Sequence, residues 1–309
     1  MFCIDKNFNK QAFLSIASFY KTNIYFKNKI YIIHKSPNSF KKYLEKIENF
    51  FPDNNVEVIK FKFKIKHYPN LKSSHVSEAT YYRMFIADHI SDSSPFVVYV
   101  DADAFFLEDI NEDIYKIANK LSSENILLSA KTEHTNDEAK ELFKRLDMDS
   151  RYFNAGVMII NFQKWKNENV SEKLRNKVDE IKENINYWDQ DVLNKYFDTN
   201  IEILDHRLNC KIDDDSPRVN LQSDPYILHY AGSKKPWTIE GLTDIDSHYF
   251  QNNYLLANNK KFYYMSTNWR LGTLKLLLKK ICTFSIFNSK NYIKIIVSSL
   301  LLLTRRRVK

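Results

Sequence analysis

The sequence predicts an α/β layer fold with a largely parallel sheet, and three observations point there. Short β-rich runs alternate with helix-patterned segments through residues 1–230, the arrangement that crossover helices between parallel strands leave in a sequence. One run, Phe96-Val97-Val98-Tyr99-Val100, is apolar throughout between Pro95 and Asp101, as expected of a central strand covered on both faces. The 309 residues are 44% apolar with only four glycines and three cysteines. That is material for a large core, and it excludes a disordered chain, a collagen-like repeat or a disulfide scaffold. Cys3, Cys210 and Cys282 lack metal-ligand spacing and read as incidental thiols in a reducing compartment.

Taken in order, Phe2-Cys3-Ile4 reads as a first strand. Residues 8–20 carry Phe13, Ile16, Ala17 and Tyr20 at helical spacing. Residues 30–33 read as a second strand and 40–51 as an amphipathic helix stopped by Pro52. Residues 56–65 alternate apolar with lysine, the pattern of a half-exposed strand. Residues 77–90 cluster Tyr81, Tyr82, Phe85 and Ile86 and predict a helix. After the central strand come strands at 126–128 and 157–162, a charged surface helix at 167–184, and short strands at 201–204 and 226–230.

The net charge of +8 is unevenly placed. Asp246 is the last acidic residue, and twelve Lys and Arg follow it, so residues 1–246 sum to −4. A mildly acidic body argues against a nucleic-acid binder, which would carry its positive surface on the folded face. The chain divides on this basis into a main domain over 1–250, where any catalytic site is expected, and a basic, apolar region over 251–309. In that region Leu271, Leu274, Leu276, Leu277, Leu278, Ile281, Phe284, Ile286 and Phe287 sit among lysines, and a second cluster over 293–303 meets Arg305-Arg306-Arg307. The pattern predicts amphipathic helix lying on an anionic membrane surface, the alternative being a helix docked on the core. The apolar stretch over 292–304 is 13 residues, short of the roughly 20 that span a bilayer. The opening MFCIDKNFN has no secretory pattern, so a cytoplasmic location is expected.

Three clusters carry chemistry. Asp101-Ala102-Asp103 follows the central strand, and residues two apart in extended chain point the same way, so both carboxylates can face one Mg²⁺ or Mn²⁺. The chain holds five Asp-x-Asp pairs, at 101/103, 147/149, 189/191, 213/215 and 244/246. Most are expected on solvated surface, and only 101/103 ends a strongly apolar strand. Tyr152-Phe153-Asn154-Ala155-Gly156-Val157 contains one of the four glycines, which suggests close backbone approach to a ligand or a special dihedral, with Asn154 placed to bond sugar hydroxyls. His229-Tyr230-Ala231-Gly232-Ser233-Lys234-Lys235-Pro236-Trp237 ends a late strand. A histidine there is a metal ligand when neutral, Gly232 permits a tight turn, and Lys235 offers a point charge to phosphate. A histidine alone on a strand is usually structural; the grouping is what singles this one out.

Tyr82-Arg83, VYVDAD, FNAGVMIINFQKW, WDQDVLN and HYAGSKKPW occur in that order. Together they resemble the retaining glycosyltransferases of family 8, over roughly residues 2–240. The resemblance implies a GT-A-like, Rossmann-type mixed sheet flanked by helices, to which the composition of 251–309 adds a basic amphipathic helical tail. It implies a UDP-sugar donor and Mn²⁺, with Mg²⁺ as the alternative, held by Asp101, Asp103 and His229. Cys3, Ile4, Asp5 and Asn7 would lie at the nucleotide. Arg83, Asp101, Ala102, Asn154, Ala155, Gly232 and Lys235 would complete the donor site. Asn154, Asp189 and Gln190 would flank the reacting sugar, and His75 would meet the acceptor. The chain departs from the family pattern in lacking a proline soon after Arg83 and in having Leu208-Asn209-Cys210 where a tryptophan-asparagine pair is commoner.

The function so implied is a retaining hexosyltransferase moving galactose or glucose from UDP-galactose or UDP-glucose to a lipid-linked lipopolysaccharide or lipooligosaccharide glycan. It would work on the inner face of the bacterial inner membrane, with no nucleic-acid partner. Other readings are a metal-dependent nucleotidyltransferase or phosphohydrolase, which also uses paired aspartates, and an inactive nucleotide-sugar-binding protein at the membrane surface.

Overall fold

The chain runs through β1 (Phe2–Ile4), α1 (Asn9–Thr22), β2 (Ile30–His34), α2 (Lys41–Phe50) and β3 (Val56–Lys60). A 3₁₀ helix over Glu78–Phe85 leads into α3 (Ile86–His89), followed by β4 (Phe96–Val100), β5 (Ala104–Phe106) and α4 (Asn111–Ser123). Next come β6 (Leu128–Thr135), α5 (Lys140–Leu146), β7 (Arg151–Asn161), α6 (Phe162–Asn167), α7 (Val170–Ile181) and α8 (Trp188–Phe197). The remaining elements are β8 (Ile201–Ile203), β9 (Cys210–Ile212), β10 (Ile227–Tyr230), α9 (Ser247–Asn258), α10 (Leu271–Cys282) and α11 (Tyr292–Thr304). This computed structural model describes all residues except 26–28, 64–67, 70–76, 92, 136, 213–223, 233–234, 240, 244–246, 259–270, 290–291 and 305–309. The described residues form two compact units, Met1–Cys210 with Pro225–His229, and Lys211–Asp224 with Tyr230–Lys309.

In the first unit β1, β2 and β3 are parallel neighbours, each β-rich run joined to the next by a helix. The Met1 N–H donates to the Val98 carbonyl and the Val100 N–H to the Met1 carbonyl, the bonding pattern of parallel chains. This joins β1 to β4, whose other neighbour is β7 in the order β4-β7-β6-β8. The result is one mixed sheet, β3-β2-β1-β4-β7-β6-β8. It is less parallel than the alternation of elements predicts, because β7 runs antiparallel to both β4 and β6. β4 is central, although Phe96 and Val98 are only half-buried where full cover on both faces is expected.

Antiparallel β7 brings its first residues to the sheet edge where β1 and β4 end. There the ladder is broken on purpose of geometry: Ala130 of β6 pairs with Met158, but Lys131 pairs with Asn154, so 155–157 bulge out of the β6–β7 pairing. A second irregularity between Thr132 and His134 leaves Glu133 outside the register. Bulges of this kind re-aim side chains beside active sites. β5 pairs antiparallel with β10, setting Ala104 opposite His229. α1 is buried on almost every side and secures β5: Ser15 Oγ donates to the Ala104 carbonyl at 2.5 Å, and Ser18 Oγ accepts from the Phe106 N–H at 3.1 Å.

The helix predicted over 77–90 is wound as 3₁₀ through Phe85. Ser77 caps it by accepting from the Ala79 N–H at 3.3 Å. The tighter winding sets Arg83 one turn above Thr80, whose carbonyl and hydroxyl oxygens accept from Nε at 3.0 Å and Nη2 at 2.6 Å.

In the second unit Ile239, Leu242, Leu277, Ile286 and Ile295 form a small core. α10 and α11 thus use part of their apolar surface within this unit. Leu278, Phe284, Phe287, Ile293, Val297, Leu300 and Leu301 remain exposed. Among the described residues no helix is long and apolar enough to cross a membrane.

Candidate active site

Asp101 and Asp103 leave the end of β4, and β10 delivers His229 beside them through its pairing with β5. His229 Nε2 lies 3.4 Å from Asp103 Oδ1 and 3.8 Å from Asp101 Oδ2, and one ligand atom from each residue falls within 4.8 Å of the other two. The two carboxylates repel one another at this range, and with the imidazole nitrogen beside them the donor set fits a divalent ion with O/N preference such as Mn²⁺ or Mg²⁺. Three protein ligands would leave positions for phosphate oxygens. The other oxygen of Asp101, Oδ1, accepts from the Tyr99 hydroxyl and lies 3.4 Å from Arg83 Nη1. The carboxylate is thereby oriented with Oδ2 toward the histidine.

Gly156 is tied to this geometry by space. A Cβ at 156 would stand 2.1 Å from His229 Cε1 and 2.7 Å from Nδ1. The glycine motif therefore does mark a close approach, but to the ring of His229, and no glycine among the described residues has positive φ, so a special dihedral is not the reason. The bulge uses its freed backbone groups locally. The Gly156 carbonyl accepts from the Asp101 N–H at 2.8 Å, the Ala155 carbonyl from Arg83 Nη1 at 2.6 Å, and the Ala155 N–H donates to Gln190 Oε1 at 3.1 Å.

Arg83, 5% exposed, pairs through Nε with Asp189 Oδ2 at 2.5 Å and stacks its guanidinium 4.6 Å from the Tyr99 ring centroid. Burial works against its charge, but Asp189, Tyr99 and Asp101 outweigh that and hold it protonated. Asp189 is 1% exposed, and burial pushes its carboxyl up to about 6 against the pull of Arg83 and the Thr80 hydroxyl, which donates to Oδ1. Trp188, just before it, has φ of 50°, a left-handed conformation that costs a side-chain-bearing residue about 1–2 kcal/mol.

Asp191, the second member of that Asp-x-Asp pair, is fully buried, contrary to the surface placement expected for most such pairs. Its carboxylate accepts from Arg145 Nη1 at 2.8 Å, the Tyr152 hydroxyl at 2.7 Å and the N–H groups of Asn186 and Tyr187 at 2.7 and 2.8 Å. It anchors the start of α8. The same helix docks on β7 through Asn194, whose amide accepts from the Phe153 N–H at 2.6 Å and donates to the Phe153 carbonyl at 2.9 Å.

Asn154 and Gln190 meet over Glu133. Glu133 Oε2 accepts from Gln190 Nε2 at 3.1 Å and from Asn154 Nδ2 at 3.4 Å. Asn154 Oδ1 accepts from the Gly156 N–H and from Asn209 Nδ2, both at 3.0 Å. Sequence reasoning missed Thr80, Glu133 and Arg145, and singled out Asn209 only as part of a departure from the family pattern, without a role. The irregular pairing of β6 is what turns Glu133 inward, and alternation in the sequence shows no sign of it.

Asp5 closes the turn after β1, accepting from the Asn7 N–H at 2.7 Å. Cys3 and Ile4 are buried, and Cys3 packs in the main core, where burial pushes its thiol above the usual range. Ala102 is buried in the Asp101–Ala104 turn. In the second unit the Gly232 N–H donates to the Ile212 carbonyl at 3.2 Å, and Lys235 Nζ to the Tyr230 carbonyl at 2.5 Å. His75 lies outside the described residues.

A mixed sheet with two aspartates leaving its central strand, a histidine brought beside them by β10 and an Arg–Asp pair alongside makes this an α/β protein with a site that could hold a divalent ion. The model for Glycosyl transferase family 8 matches residues 1–241, and the chain belongs to that family. The General stress protein A of Bacillus subtilis (strain 168) is 29% identical over 215 residues, covering 64% of this chain and 69% of that protein. The lipopolysaccharide 1,2-glucosyltransferase of Escherichia coli is 26% identical over 266 residues, covering 82% and 77%. Among solved structures, the galactosyltransferase LgtC in complex with donor and acceptor sugar analogs superposes with a TM-score of 0.68 at 19% identity, covering 84% of this chain and 95% of that one. That likeness bears out the GT-A-like mixed sheet.

Proposed function

We propose that this glycosyltransferase moves galactose or glucose from a UDP-sugar, with retention, to a lipid-linked lipopolysaccharide or lipooligosaccharide glycan. The convergence of Asp101, Asp103 and His229 beside Arg83 carries the reading. The names of the relatives support the sugar and acceptor classes. A divalent ion bound by the three residues would supply positive charge against the departing diphosphate. Arg83 is fixed by Asp189 and Thr80, so it meets the donor without reorganising. Glu133 holds the amides of Asn154 and Gln190 toward the sugar side. Asp189 is buried and ion-paired, which makes it a counter-ion for Arg83 and a poor nucleophile; same-face attack by the acceptor hydroxyl is the better fit. Asp5 and Asn7 are read as contacts to the nucleotide, Gly232 and Lys235 to the diphosphate, and His75 to the acceptor.

The second part of the proposal is peripheral attachment through 251–309. Exposed Ile293, Val297, Leu300 and Leu301 stand with Lys294 on α11, exposed Phe284 and Phe287 lie in the turn before it, and Lys275 and Lys279 are on α10, the composition of an interfacial anchor for anionic lipid.

The test is UDP release with Mn²⁺ and a panel of UDP-sugars, with and without a lipooligosaccharide acceptor. Acceptor-stimulated release from UDP-galactose or UDP-glucose is expected, and Asp101→Asn and Asp103→Asn each reduce it by at least about 10²-fold, the scale of losing one electrostatic stabiliser. Near-normal turnover in both variants contradicts the metal assignment. Donor hydrolysis or nucleotidyl transfer without glycosylation would favour the phosphohydrolase reading, and binding without turnover an inactive protein.

A further inference from the structure

We infer that Asn209 is a positioning residue that sets the tautomer of His229 and couples the metal corner of the site to the donor-sugar side through Asn154. The inference rests on the metal reading proposed above and goes beyond it to a residue with no ligand role of its own.

The direction of each bond follows from one fixed donor. The Gly156 backbone N–H, 3.0 Å from the Asn154 side chain, can only donate, so the atom it meets is the amide oxygen Oδ1. That same oxygen lies 3.0 Å from the amide of Asn209, which must therefore present its NH₂ group there. Asn209 is left with its oxygen toward His229 Nδ1, again at 3.0 Å. An oxygen accepts, so Nδ1 carries a proton, and in the neutral ring the lone pair is then on Nε2. Nε2 is the atom that faces Asp103 and Asp101. A backbone N–H thus dictates, through two amides, which imidazole nitrogen is available to an ion.

The hydrogen-bonded path is buried and has little slack. Asn209 is 0% exposed, His229 3% and Asn154 6%. Gly156 bounds the ring from one side, since any Cβ there would overlap it. At the far end Asn154 Nδ2 donates to Glu133, which also holds Gln190. The carboxylate, two amides and imidazole form one continuous path from the sugar side to the metal side. Partners that orient a ligating histidine in this way are worth roughly 10–100-fold in metal affinity.

The two ends of the Asn209 amide do different work, so variants separate them. Mn²⁺ is titrated into the full chain and free ion followed by electron paramagnetic resonance, without nucleotide. Binding of UDP and of UDP-galactose and UDP-glucose is then measured in saturating Mn²⁺. Asn209→Ala should weaken Mn²⁺ binding about 10–100-fold. Asn209→Asp keeps an acceptor for Nδ1–H and should bind Mn²⁺ within about threefold of wild type, a smaller change than loss of the partner. It sets an oxygen against Asn154 Oδ1, however, and should lose the preference for a UDP-sugar over UDP. This split is one that a packing role would not produce, and Asn209→Asp decides the matter even where Asn209→Ala fails to fold. Wild-type Mn²⁺ affinity in Asn209→Ala, or equal losses in both variants, overturns the inference. A wild-type chain that takes up no Mn²⁺ overturns the metal reading itself, and the inference with it.

Discussion

An alanine at 156 would put a methyl group 2.1 Å from His229 Cε1, well inside contact distance, while its backbone would be unstrained because Gly156 has no positive φ. The clash therefore falls on one side chain. Overpacking of this kind destabilises by about 1–3 kcal/mol, and relief comes most readily by displacing the imidazole from Asp101 and Asp103. Gly156→Ala should lower the thermal midpoint and abolish Mn²⁺-dependent turnover. Adding His229→Ala should restore most of the midpoint without restoring turnover. A Gly156→Ala enzyme with normal Mn²⁺ affinity would show that the ring has room elsewhere. The residue scale is also where the sequence was most unevenly legible. Asp101, Asp103 and His229 stand out because each ends an apolar strand, and chain position separates them from surface carboxylates. Thr80, Glu133 and Asn209 lie in a 3₁₀ turn, at a pairing irregularity and before a three-residue strand. Their partners come from distant parts of the chain, and nothing in local spacing announces them.

α8 shows what an element contributes. It carries Asp189 and Gln190 on its first turn, and its start is fixed less by helix propensity than by Asp191, which gathers Arg145, Tyr152 and two backbone N–H groups. Removing one partner of a buried pair leaves a charge without compensation and costs about 3–5 kcal/mol. Arg145 is partly exposed, 19% at its side chain, so the lower end applies. Arg145→Met is expected to destabilise by about 3 kcal/mol and to depress turnover by loosening the helix start, although Arg145 touches neither proposed metal ligands nor Gln190. Adding Asp191→Leu should fail to rescue stability, because Asn186 and Tyr187 would lose their acceptor. Chemical denaturation of the three proteins decides it, and full recovery in the double variant would reduce the site to an isolated ion pair. Element type was readable in α2 and β3, where burial is one-sided, although α4, also one-sided, went unread. It was not readable for α5, at seven residues, or for the antiparallel course of β7, since a buried strand looks the same in either direction.

Charge and apolar surface are divided between the two ends of the chain, and this division makes the last prediction one about the whole molecule. Residues 1–246 sum to −4, against twelve positive charges after them. An acidic body is repelled by an anionic bilayer, so the attachment proposed above would come from the end of the chain, and it should weaken as salt screens the lysines beyond about 10 Å. Folding of the second unit already uses Leu277, Ile286 and Ile295, which leaves the exposed set around Phe284 and Phe287 as the surface proposed for lipid. Phe284 is informative because it holds φ of 56° while 74% exposed. An aromatic ring there stabilises no core and costs about 1–2 kcal/mol in backbone strain. Phe284→Gly should therefore raise or preserve folding stability while reducing co-sedimentation with phosphatidylserine-containing vesicles. Phe284→Asp with Phe287→Asp should abolish it, and UDP release with a soluble acceptor should persist in both. Binding to phosphatidylcholine vesicles should be weak in every case. Equal co-sedimentation of wild type and the double aspartate variant would remove the helices from the membrane and leave their exposed apolar face to another partner.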